Sequence, residues 1–178
     1  MTMRYTIAVA LGAAVLLAES SPPAIARQSF LKNQPVRVNV AARASAAISK
    51  PPQTVDVTLT ATPIPGVHVY APGNPKYIAV AATVTPVAGI EIGAPVFPVA
   101  EDYFFAPLKE AVKVYSKPFE VRVPLKVTSA FGRGRGTFPT DTVTIKGTLD
   151  YQACDDKVCF PPQRTPFSVD VPVQLARR

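Results

Sequence analysis

The sequence predicts an all-β fold, an antiparallel sandwich of two sheets, and three observations carry that prediction. Apolar and polar residues alternate along four separate segments, the period of two of a strand with one buried face. The 20 prolines are spread along the chain and leave little room for long helices, because each interior proline costs a helix about 3 kcal/mol. Clusters of Pro, Gly and Asn separate the alternating segments. Proline and the 9 glycines together exceed the usual ~12% but stay well below the ~25% of low-complexity chains. Hydrophobic residues at 48% and charged residues at 17% supply one core for one domain.

Residues 1–26 read as an export signal: Arg4 supplies the positive start, Ile7 to Ala18 is apolar, and Ala24-Ile25-Ala26 is a small-x-small cleavage site. Glu19 and Pro22-Pro23 close the apolar run short of the ~20 residues a membrane span needs. The mature protein is therefore expected in the periplasm as a monomer, without stable membrane insertion. Residues 27–53 read as an N-terminal strand and linker, and residues 54–178 as the main domain, with 27–178 forming one unit.

Within 27–53, Val36-Arg37-Val38-Asn39-Val40 alternates, and Ala41 to Ile48 reads equally as a short helix or a linker. Val55, Val57 and Leu59 then begin the clear pattern. It recurs from Phe119 to Val127, from Val143 to Tyr151, and from Phe167 to Leu175. Val67 to Val69 adds a short strand. Ile78 to Val84, apolar on both faces, is expected to be a central one. Pro124 and Pro172 interrupt two strong alternations, so those strands are expected at sheet edges or bulges, where a missing N–H is tolerated. Strands at this spacing, with no helices between them, point to an immunoglobulin-like antiparallel β-sandwich, a barrel being the structural alternative.

The net charge of +7 is dispersed apart from Arg133-Gly134-Arg135 and Arg177-Arg178, and export argues against a nucleic-acid partner. Two cysteines exclude a disulfide-dense scaffold and four-cysteine metal sites. No Gly-x-Ser-x-Gly element or thioredoxin-type Cys-x-x-Cys is present.

The cysteines themselves carry the chemistry. Cys154 and Cys159 flank Asp155-Asp156-Lys157-Val158, a plausible hairpin loop between two strands, and residues facing each other across a hairpin lie within reach of a disulfide. Such a short loop gains only about 2.2 kcal/mol in the chain-entropy picture. A chain of this size buries roughly 68–70% of its unfolded surface and does not depend on the staple. Structural and redox readings stay equally open on that ground. Asp155 and Asp156 disfavour a thiolate at Cys154, whereas Lys157 favours one at Cys159, which makes Cys159 the better candidate for exchange with a partner.

The run Tyr151-Gln152-Ala153-Cys154, followed by Cys159-Phe160-Pro161-Pro162, resembles the N-terminal periplasmic domain of the thiol:disulfide interchange protein DsbD. Pro65-Gly66-Val67-His68-Val69-Tyr70 resembles that family's strand beneath the redox pair. Glu101-Asp102-Tyr103-Phe104-Phe105 and Val114-Tyr115 resemble its cap loop and following strand, so that the resemblance covers about residues 50–175. It implies an immunoglobulin-like thiol-disulfide oxidoreductase, an electron carrier that needs no cofactor beyond its disulfide. Its implied partners are a membrane or periplasmic thioredoxin-like electron donor and oxidised periplasmic client proteins. Cys159 would form the mixed disulfide and Cys154 would resolve it. Phe104 would cap the pair, with Phe105 beside it; Asp102 and Glu101 would influence thiol protonation, and Tyr70 would support the pair from below. Three departures stand out: four residues rather than five separate the cysteines, His68 occupies a position where tyrosine is familiar, and no transmembrane or thioredoxin-like domain follows before Arg178.

Other readings remain beside this one. Tyr103, Phe104 and Phe105 also fit as plain core aromatics, and His68 as a hydrogen-bonded strand histidine. A non-catalytic interaction module with a structural disulfide, and a Cu(I) carrier using Cys154, Cys159 and His68, are the functional alternatives.

Overall fold

The computed structural model describes residues 35–106, 109–132 and 141–175. The expected export signal and both arginine clusters lie outside them. Eleven strands run in chain order: β1 (Val38–Ala44), β2 (Gln53–Pro63), β3 (His68–Tyr70), β4 (Ala81–Val84), β5 (Ile90–Ile92), β6 (Glu101–Phe105), β7 (Glu110–Tyr115), β8 (Phe119–Val127), β9 (Thr142–Tyr151), β10 (Ala153–Cys154) and β11 (Gln163–Pro172). They form three sheets, ordered β1-β2-β8-β5, β10-β3-β7-β6 and β11-β9-β4, and every strand pair in them is antiparallel. The chain passes from β9 directly into β10, and Val80 N–H donates to the Tyr70 carbonyl at 2.8 Å, so the second and third sheets share one side of the fold. The fold is the all-β immunoglobulin-like sandwich the alternations predict.

The alternation explains the core. Val55, Val57 and Leu59 of β2 and Val121, Val123 and Leu125 of β8 join Ile145 and Leu149 of β9 and Phe167 and Val171 of β11 in one buried cluster. Removing a fully buried leucine such as Leu149 from water contributes roughly 1.5–3 kcal/mol. Gly147 of β9 keeps the sheet closed at one point, because a Cβ there would overlap the Thr83 carbonyl oxygen of β4 and the Phe167 ring of β11.

Several expectations are corrected. Ala41 to Ala44 continue β1 as strand rather than helix or linker, because they complete a ladder from Val38–Pro63 to Ala44–Val57. Ile78 to Val84 does not form a central strand: β4 lies at the edge beside β9, and Ile78 is half exposed. Its two-faced apolarity comes largely from alanines, with Val80 and Val84 supplying the buried side chains. Pro172 does lie on an edge strand, β11, but Pro124 lies on β8, between β2 and β5. The interior position is tolerated because the Pro124 carbonyl accepts from Gly93 N–H at 2.8 Å, just past the last β5 pair, Ile92–Leu125. In an antiparallel ladder a residue's N–H and C=O point the same way, so the missing donor faces the place where β5 has ended.

Candidate functional site

The site is built where β3 meets β10. Ile64-Pro65-Gly66-Val67 makes a tight turn in which Val67 N–H donates to the Ile64 carbonyl at 3.1 Å and Gly66 takes a positive φ of 77°. Proline and then glycine at the two central positions suit a type II turn. It launches β3, whose Val69 pairs with Ala153 and whose His68 pairs with Cys154. Alternation then divides the side chains. Val69 and Ala153 enter the main core, while Tyr70 and Cys154 join Val112 and Val114 in a second, smaller cluster lined by Tyr77 and Tyr103.

Cys154 and Cys159 form a disulfide with a Cα–Cα distance of 4.0 Å, and they face each other as a ladder pair. The loop between them is held from within. Asp155 Oδ1 accepts from the N–H groups of Lys157 and Val158, both at 2.8 Å, and Asp155 N–H donates to the Val158 carbonyl at 3.0 Å. Those two backbone donors hold the Asp155 carboxyl below its ordinary pKa. Phe160 N–H closes the hairpin on the Ala153 carbonyl at 2.8 Å, and the Arg37 guanidinium lies 3.3 Å from the centre of the Phe160 ring. The two cysteines differ sharply in exposure: Cys154 is 1% exposed, whereas Cys159 is an exposed residue.

An aromatic group surrounds the pair. Tyr70 is buried, stacks on Tyr77 at 4.1 Å, and its hydroxyl lies 3.9 Å from Cys159 Sγ. Burial, with Glu110 nearby, raises the Tyr70 pKa. Tyr77 hydrogen-bonds the Glu110 carboxylate, which Lys76 Nζ also reaches at 2.9 Å. Tyr103 donates to Asp156 Oδ1 at 2.7 Å and packs on the His68 ring at 4.4 Å. Those carboxylate bonds push both the Tyr77 and the Tyr103 hydroxyls up to about 12. His68 is 4% exposed and its Nε2 has no hydrogen-bond partner among the described residues, so the expected satisfied strand histidine is not found. Burial lowers its pKa, against the opposing pull of Asp156 and Asp155.

Of the residues singled out in the sequence, Cys154, Cys159, Tyr70 and His68 therefore converge. Glu101 and Asp102 do not: Glu101 accepts from Ser116 Oγ at 3.1 Å, and Asp102 pairs with Lys113 at 2.7 Å. The carboxylates nearest the pair are the hairpin's own Asp155 and Asp156. The segment expected as a cap loop is strand β6, paired with β7 from Glu101–Val114 to Phe105–Glu110. Phe104, expected to be the cap, is 63% exposed, and its strand neighbour Tyr103 is the residue tied to the hairpin. Successive side chains in a strand point to opposite faces, so only one of the two can lie there. Phe105, partly buried, shares the Tyr103 face of β6. The sequence reading passed over Tyr77 and the Tyr103–Asp156 bond; neither carries a motif, and only the strand register brings them in. Among the described residues, with Cys154 and Cys159 joined as a disulfide, no group of three or more His, Cys, Asp or Glu side chains is placed to hold a metal ion.

Comparison with known proteins fits this geometry. A family model described as thiol:disulfide interchange protein DsbD, N-terminal, matches residues 32–171. Two solved structures are among the matches. The N-terminal periplasmic domain of ScsB from Proteus mirabilis is 18% identical with a TM-score of 0.48, over 76% of this chain and 46% of that one. The Neisseria meningitidis DsbD N-terminal domain in its reduced form is 20% identical with a TM-score of 0.40, over 74% of this chain and 85% of that one. The chain thus spans less than half the length of the first of these. No curated protein matches.

Proposed function

Because the chain belongs to the family of the N-terminal domain of the thiol:disulfide interchange protein DsbD, we propose that it is a periplasmic dithiol/disulfide carrier that takes electrons from a thioredoxin-like donor and passes them to oxidised client proteins. The observation that supports this reading best is the unequal exposure of the two cysteines, Cys159 an exposed residue and Cys154 only 1% exposed. A bridge that served only to clip the hairpin has no need of an accessible sulfur, whereas exchange proceeds by in-line attack on one.

In the loading direction a donor thiolate attacks Cys159 Sγ, the Cys154–Cys159 bond breaks, and Cys154 leaves as a thiolate that takes up a proton. The donor's second thiolate then attacks its own sulfur in the mixed disulfide. The donor leaves oxidised, and the carrier holds two electrons and two protons as a dithiol. In the unloading direction Cys159 thiolate attacks the client disulfide and releases one client thiolate. Cys154 then attacks Cys159 Sγ, re-forming the bridge and releasing the client's second thiolate.

Equilibration with glutathione redox buffers tests the proposal. A carrier disulfide should exchange at potentials above about −300 mV; a lower value, typical of resistant structural bridges, overturns the reading. A second arm uses a purified oxidised thioredoxin-like protein. Cys154→Ala should accumulate a mixed disulfide through Cys159, and Cys159→Ala should not.

A further inference from the structure

The two-step exchange leaves one requirement unmet by the cysteines alone. To release the client, Cys154 must act as a thiolate, yet it is 1% exposed and a buried thiol resists ionisation. Solvent has poor access to its proton. A nearby group must therefore accept it.

His68, Cys154 and Cys159 form one row across the sheet: His68 pairs with Cys154 on one side, and Cys154 pairs with Cys159 on the other. Directly opposed residues place their side chains on the same face with Cβ atoms about 4.5–5.5 Å apart. The His68 ring is held there by Tyr103, at 4.4 Å, and by an edge-on contact with Tyr70 at 5.7 Å. Its Nε2 is buried and unpartnered while the disulfide is closed. An unsatisfied buried nitrogen is costly in the closed form, and the reduced form offers it a partner. The oxidised cysteine offers it no proton; the reduced one does.

We infer that His68 is the general base for Cys154, taking the thiol proton onto Nε2 as the resolving step begins. This rests on the carrier reading above. Cys154 thiol and neutral imidazole become thiolate and imidazolium. The thiolate attacks Cys159 Sγ of the mixed disulfide, the client thiolate leaves with the electron pair of the broken bond, and the imidazolium proton passes to that leaving thiolate or to water. Two electrons move from the carrier to the client, and the imidazole returns to its neutral form. In the loading direction the ring takes a proton from water as the bridge opens and passes it to the departing Cys154 thiolate, returning to the neutral form.

The titratable groups facing the ring fit this assignment. Asp155 and Asp156 approach from the hairpin, Tyr70 from β3, Tyr103 from β6 and Cys154 from β10. Burial keeps the imidazole neutral and able to accept, and the two aspartates stabilise the imidazolium once it forms.

His68 is the chain's one histidine, so its imidazole signals can be read without assignment in the unmodified protein. A proton NMR titration of the oxidised and reduced forms should show His68 ionising at lower pH when the Cys154 thiol is present, because a thiol proton donated to Nε2 stabilises the neutral ring. Superimposable titrations in the two states overturn the inference. The kinetic arm mixes reduced protein with the small disulfide dithiobis-nitrobenzoate, whose first coloured thiolate reports attack by Cys159 and whose second reports resolution by Cys154. His68→Gln should leave the first phase unchanged and slow the second about tenfold or more, with its pH profile moved to higher pH. Equal second phases with the same pH profile count against the role. Neither arm uses a protein client. A failure of the carrier reading would appear in the glutathione equilibrium, separately from a failure of His68.

Discussion

The Tyr103 hydroxyl donates a 2.7 Å hydrogen bond to Asp156 Oδ1, tying strand β6 to the loop that joins the two cysteines. This contact holds an aromatic side chain beside the His68 ring and over the smaller hydrophobic cluster that contains Cys154. One hydrogen bond thus fixes β6 against the cysteine loop, two parts of the chain distant in sequence.

Tyr103→Phe removes that bond and keeps the ring. The disulfide should be reduced several-fold faster by dithiothreitol, because β6 is released from the hairpin. Phe104→Ala, at an exposed position, should leave that rate unchanged and shift stability by no more than about 0.5 kcal/mol. The opposite ranking of the two variants would restore Phe104 as the covering residue.

Alkaline pH should open the same contact. The Tyr103 pKa is pushed up to about 12 by its bond to Asp156, and that of Tyr77 to about 12 by its bond to Glu110. A folded-state pKa above the unfolded value of about 10 means the stabilisation is complete below pH ~10 and is lost as pH rises through the folded pKa. Ultraviolet titration should show late tyrosinates that include Tyr77 and Tyr103, and one of the late steps should disappear in Tyr103→Phe. An unchanged late step in that variant would contradict the arrangement.

The loop's internal bonds predict the redox balance. Asp155→Ala removes the acceptor for Lys157 and Val158 N–H, loosens the turn that brings the cysteines together, and should make the disulfide easier to reduce in a glutathione equilibrium. Asp155→Asn, which retains an acceptor oxygen, should lie closer to the unmodified protein. Identical potentials for all three proteins would show that the turn does not control closure.

Gly147→Ala tests the sandwich rather than the site. The added methyl meets the Thr83 carbonyl oxygen and the Phe167 ring, and the overpacking should cost at least about 1–3 kcal/mol in urea unfolding. A variant as stable as the unmodified protein would mean that β4 and β11 can move apart at this position.

Strands with one buried face were legible because alternation is a local signal: Val55 to Leu59, Phe119 to Val127 and Val143 to Tyr151 lie in β2, β8 and β9, while the Phe167 to Leu175 pattern runs past the end of β11 at Pro172. Their order was not. Pro124 reads as an edge residue, yet its strand is interior, because tolerance depends on where β5 happens to end. The cysteine hairpin was legible from its motif, and its unequal charges already favoured Cys159. The surrounding aromatics were harder, since Tyr103 and Phe104 are neighbours of similar chemistry and only the face of β6 separates them. The unpartnered Nε2 of His68 depends on what every neighbouring strand fails to offer, and no local pattern encodes that.

Strand β10 is two residues long, yet it divides its loyalties: Ala153 packs into the main core and Cys154 into the smaller aromatic cluster. Chemistry at the sulfur is thereby insulated from the part of the molecule that decides whether it is folded. Opening the bridge disturbs a small outlying cluster and leaves the large one sealed. In the proposed carrier role, charge and discharge at Cys154 would proceed with the main core folded, much as a battery terminal is renewed without touching the casing.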